Sequence, residues 1–101
     1  MATAYIREYA DIAVTFSKYV QAGAEPAITD QTVTTSASSA QSAAFNANTR
    51  LIAISTPAAQ AVSVLFGDNP TATTSNIRLP ANNMFFFGVK PGQKIAFIDV
   101  A

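Results

Sequence analysis

Apolar residues recur along most of this chain in short runs at period two, the spacing of half-buried strands rather than of helices. Residues 50–56 read RLIAIST, with Ile52 and Ile54 on the face of Arg50, and Leu51, Ala53 and Ser55 on the other. Residues 61–66, AVSVLF, place Val62, Val64 and Phe66 on a core face with Ser63 opposite, and Gly67-Asp68-Asn69-Pro70 closes that pair. Thr32 to Ser36 is strand-like through its β-branched content. Residues 37–42 are small and polar, suited to a turn or a bulged strand end, and Phe45, alone among small residues, is expected to plug the end of a core. Pro80 confines residues 77–79 to an edge or a strand end.

Two further strand candidates, 84–89 and 95–100, flank Lys90-Pro91-Gly92-Gln93. Proline at the second turn position and glycine at the third suit a type II turn, so the two strands are expected to pair across it. Residues 2–9 alternate as well, whereas YADIAVTFSKY over 9–19 fits either element. Ile12, Phe16 and Tyr19 lie at helical spacing, and Val14 and Phe16 alternate as in a strand. Residues 21–30 form a loop by composition. Turn signals about every 8 to 12 residues predict an all-β fold, a β-sandwich or jelly roll of about six to eight antiparallel strands. Within one structural domain, residues 1–30 are expected to be an N-terminal strand or docking arm, and 31–101 the β-sandwich.

Composition narrows the chemistry. With neither histidine nor cysteine, no Ser-His-Asp or Cys-His arrangement can be built, nor any metal site of those ligands. Glu8 with Asp11 and Glu25 with Asp30 are the close carboxylate pairs, and they read as solvated surface acids. No phosphate-cradling glycine motif occurs. The expectation is therefore no enzyme and no cofactor. Six basic and six acidic residues give zero net charge without a basic run, which argues against a nucleic-acid or membrane partner. Arg7, Glu8 and Asp11 interrupt the apolar segment that a signal peptide would need, and folding in a cytoplasm is expected.

Half of the residues are hydrophobic and 12% are charged, against roughly 25% in typical globular chains. A surface so poor in charge suits burial against other subunits. Both faces of 84–89 are apolar, Met84 and Phe86 against Phe85, Phe87 and Val89, and 95–100 is similar. Either the chain covers both faces itself or another subunit covers one, and the second is favoured, giving a homo-oligomer, a dimer or trimer. Tyr5, Tyr9, Phe85 and Phe87 are the candidate interface anchors, since aromatic residues dominate interface cores.

The runs SAAFNANTRLIAIST and VSVLFGDNPTATTSNIRLPANNMFFFGVKPGQKIAFI resemble small virion proteins of tailed bacteriophages. The shared features are an AFN-x-NT strand start, an FG-x-NP-TA turn, an R-x-PA-N element and an FGV-x-PGQK hairpin in the same order. The resemblance spans about residues 31–100, with Phe85 and Phe86 standing where a polar residue is usual. It implies a capsid cement or decoration protein on the virion surface, made in the host cytoplasm, whose partner is the major capsid protein. A glycan- or receptor-binding domain of a fibre and a tail or neck connector are the alternatives.

Overall fold

Eight strands divide equally between two antiparallel sheets that face each other across an apolar core, and two more form a separate hairpin. The computed structural model describes residues 2–101. The strands are β1 (Ala2–Tyr9), β2 (Ile12–Thr15), β3 (Lys18–Gly23), β4 (Thr29–Thr35), β5 (Ala40–Gln41), β6 (Leu51–Ser55), β7 (Ala61–Gly67), β8 (Ile77–Leu79), β9 (Met84–Gly88) and β10 (Lys94–Val100). One sheet has the order β4-β1-β6-β9, the other β5-β10-β7-β8, and β2 pairs with β3. The count exceeds the six to eight expected from sequence. The additions are the hairpin, drawn from the ambiguous residues 9–19 and the stretch beyond them, and the two-residue strand β5.

From β4 onward the chain changes sheet at every connection except β7 to β8. That winding is the jelly-roll arrangement of two interlocked antiparallel sheets. The eighth place, between β4 and β6, is filled by β1 from the front of the chain. Its start lies beside the end of β10, because Ala2 pairs with Thr35 while the Asp99 N–H donates to Ser36 O at 2.8 Å.

The alternation read from sequence sets the core. Ala4, Ile6, Val33, Ile52 and Ile54 point inward from the first sheet, and Val62, Val64, Leu79, Ile95 and Phe97 from the second. Phe45 closes one end as expected. Phe66 and Phe87 meet across the sheets with ring centroids 5.2 Å apart, inclined at 55°. Full burial of a side chain the size of Phe97 contributes about 2 to 3 kcal/mol.

Three expectations need correction. Lys90-Pro91-Gly92-Gln93 does make the turn, with Gly92 at φ 80° and the Gln93 N–H donating to Lys90 O at 3.3 Å. The strands it joins do not pair, however: β9 pairs with β6, and β10 with β7 and β5. Phe85 and Phe87 enter the core from one side and Ile95 and Phe97 from the other, so the turn rounds a corner between sheets.

The second concerns residues 1–30, expected as an N-terminal strand or docking arm: β1 is the strand of those two, and it is the boundary at 30/31 that shifts. β1 is an interior strand, hydrogen-bonded to β4 and β6, and the division at 30/31 falls inside β4. Only β2 and β3 stand outside the sandwich.

The third is Glu8, which is 2% exposed instead of being a solvated surface acid. Its place in β1 is the inward one, after Ala4 and Ile6. Its Oε1 accepts hydrogen bonds from Asn46 N at 2.8 Å and Thr49 Oγ1 at 2.7 Å, and Oε2 accepts one from Gln31 Nε2 at 3.0 Å. The carboxylate thereby ties the loop before β6 to the first sheet.

The outward face of β10 is covered in part within the chain, at Ala96, while Ile98 and Val100 stay half-buried. Ala96 and the neighbouring Ser63 are fully buried there, beneath the loop between β7 and β8, whose Pro70 and Ala72 are also buried. Gln41 Nε2 donates to Pro70 O at 2.7 Å, and Ala72 N to Ser39 Oγ at 2.8 Å, fastening the loop to the far edge of the sheet.

Candidate functional site

Two surface features stand outside this closed core: a groove on the outer face of the first sheet and the β2–β3 hairpin. Alternation along β1 sends Tyr5, Arg7 and Tyr9 outward. Register then sets Tyr5 opposite Thr32 and Ser55, Arg7 opposite Asp30 and Ala53, and Met84 opposite Ser55. The result is a cavity of about 440 Å³ lined by Tyr5, Arg7, Tyr9, Thr32, Ser55 and Met84 among others. Tyr5 is 58% and Met84 62% exposed, so the groove has two open apolar walls.

Its polar rim is an ion cluster. Arg7 grips Asp30 with two nearly parallel bonds, Nε to Oδ1 at 2.7 Å and Nη2 to Oδ2 at 3.0 Å. Arg7 Nη1 donates to Glu25 Oε2 at 3.2 Å, and the Tyr9 hydroxyl donates to the same oxygen at 2.9 Å. The Tyr9 bond and then Arg7 hold the Glu25 carboxyl below its ordinary value, and Arg7 does the same for Asp30. Burial, then the bond to Glu25, pushes the Tyr9 phenol up.

Depressed carboxylates contribute stability above their unfolded values and lose it as pH falls through the folded ones. The Arg7 cluster should accordingly weaken as pH drops below the ordinary carboxylate range, about pH 4. Urea midpoints measured at neutral and acid pH for the native chain and for Arg7→Met test this. The gap between the two proteins should close in acid, and a gap independent of pH would contradict the assignment.

The hairpin continues from the Tyr9 end of β1. Its base is closed by Ala24 N donating to Asp11 O at 3.0 Å. Gly23 lies flat on the Tyr9 ring, where any Cβ would collide with the aromatic carbons, so glycine is required. At the other end Thr15 pairs with Lys18 around a two-residue turn, Phe16-Ser17, with φ of 50° and 62°. Positive φ at both central positions defines a type I′ turn, which favours Asn and Gly. A phenylalanine held there costs on the order of 1 to 2 kcal/mol in backbone strain. Yet Phe16 is 99% exposed, with Tyr19 at 77% and its cross-strand partner Val14 at 55%.

The four aromatic residues singled out from sequence separate. Tyr5 is open to solvent in the groove, whereas Tyr9 is roofed by Gly23. Phe85 and Phe87 turn inward, opposite Ile54 and Ile52, and pack on the core; the outward residues of β9 are Met84 and Phe86. Phe16, Tyr19 and Met84 are the exposed apolar residues that the anchor set read from sequence leaves out. A strand reading of Val14 and Phe16 would have exposed the finger, but no glycine or asparagine marks its turn. Among the described residues no cluster of three His, Cys, Asp or Glu side chains could hold a metal. Neither a protein-family model, a curated protein nor a solved structure matches the chain.

Proposed function

We propose that this domain is a structural virion protein, a cement or decoration protein that assembles as a homo-oligomer on the capsid of a tailed phage and stabilises contacts between major capsid subunits. The observation that carries a binding rather than a chemical role is the hairpin tip, where Phe16 is 99% exposed in a strained turn. Local conflict between residue type and backbone is expected where function opposes folding. An exposed apolar cluster of this kind marks an interaction surface. The resemblance to small phage virion proteins supplies the setting, and the jelly roll is an architecture that capsid domains use.

Binding to the assembled shell and not to free subunits would stabilise it by mass action, in small increments summed over many copies. Mass measurement of undecorated shells before and after incubation with the purified protein tests the role. On the order of hundreds of bound copies is expected of such a mass-action cement. Occupancy at a single vertex would indicate a connector, and no mass gain would refute shell binding. A glycan-binding role draws support from the exposed Tyr5 ring beside Arg7, Asp30 and Gln31, but Arg7 and Asp30 already satisfy each other.

A further inference from the structure

We infer that the hairpin tip of one copy inserts into the groove of another copy of this chain, joining them finger to groove. The tip presents Phe16, Tyr19 and Val14, and the groove presents Tyr5 and Met84, so each is an apolar surface without a partner on its own chain. The finger cannot fill its own groove. Phe16 at 99% exposure touches essentially nothing of the chain that carries it, and the hairpin base is pinned at the Tyr9 end of β1. The molecule is elongated, 43 × 25 × 20 Å, as a projecting finger requires.

Charge agrees with this pairing. Lys18 is the sole ionic residue in residues 12–19, and it lies beside the turn, exposed. At the groove rim Asp30 and Glu25 face the single cation Arg7, leaving one net negative charge to meet it. The chain as a whole is neutral, so copies do not repel one another. A protrusion that fits a pocket elsewhere on the same molecule makes a heterologous contact, which closes into a ring when the rotation allows. The inference deepens the proposed role by naming the partner of the finger. Because its test contains no shell, its failure would leave shell binding standing.

The experiment is analytical ultracentrifugation of the full chain and two variants. Phe16→Asn removes the knob while giving the turn a residue suited to positive φ, so its melting temperature should hold or rise. Met84→Lys blocks the groove with a cation facing Lys18, on an edge strand that tolerates lysine. Phe16→Gly and Tyr5→Lys replace either variant should it fail to fold. The native chain is expected to sediment as an oligomer at micromolar concentration, and each variant alone as a monomer. Mixed, the two should form a one-to-one dimer of twice the monomer mass, because the intact finger of one meets the intact groove of the other. A monomeric native chain, variants that still associate, or a mixture that stays monomeric would each overturn the inference.

Discussion

Removal of residues 2–30 is expected to unfold the domain completely. β1 lies between β4 and β6 and pairs with both, so its loss leaves edge strand β4 with no partner in the first sheet and strips β6 of one of its two neighbours. Ala4 and Ile6, both fully buried, leave the core with it, and so does the Glu8 carboxylate that secures the loop before β6. Domains of this size hold together by about 5 to 15 kcal/mol in all. Burial of Ile6 alone is worth roughly 2 kcal/mol, and each of the abandoned ladder bonds adds about 1 kcal/mol. Far-ultraviolet circular dichroism and a thermal melt of the truncated chain check the outcome. A cooperative transition near that of the full chain would mean that β1 is a detachable arm, the other of the two readings its sequence allows.

Glu8→Ala should be the most damaging single substitution on the first sheet. The methyl group leaves the buried Thr49 hydroxyl and the part-buried Asn46 N–H without their acceptor, and the Gln31 amide with only its bond to Ala43 O at 3.4 Å. Hydrogen bonds to a charged group are worth about 1.5 to 3 kcal/mol, and each stranded buried donor adds its own desolvation cost. Partial relaxation of the loop recovers some of this, so a net loss of about 3 to 4 kcal/mol is expected. For a domain of about this length, that lowers the melting temperature by more than about 10 °C. Glu8→Gln keeps one acceptor oxygen and should lose about half as much. Urea unfolding of the three proteins decides, and an alanine variant within about 0.5 kcal/mol of the native chain would place Glu8 among surface acids.

Much of the sandwich was legible because its inward positions obey simple alternation. Period two alone gives Val62, Val64 and Phe66 a core face and sets Ile52 and Ile54 together on one face, which proves to be the inward one, and Phe45 and Pro80 occupy the end and edge positions their surroundings imply. Pairing was less legible. A turn motif states how the chain reverses, not which neighbour each strand will take. In a fold that changes sheet at nearly every connection, the nearest strand in sequence is usually across the core. That is why the turn at Gly92 has the sequence of a hairpin and the structure of a corner.

The surface was hardest to read. Double-faced apolarity in β10 points to another subunit, yet part of its outer side, at Ala96, is buried by this chain, where the loop carrying Pro70 and Ala72 is fastened to the sheet edge, a long-range contact with no local signature. Glu8 looked like any other acid, since its partners at Asn46 and Thr49 are some forty residues away. The finger was hidden for the opposite reason. Phe16 occupies a turn position where residue preferences predict asparagine or glycine, so a local rule pointed away from the turn that the structure adopts.

The central claim, that this domain acts as cement, is tested most directly by the melting temperature of undecorated phage shells with and without saturating protein. A ligand that binds only the assembled state must raise that temperature, and more so as its concentration increases. A concentration-dependent rise is the predicted result; shells that bind the protein yet melt at an unchanged temperature would contradict it.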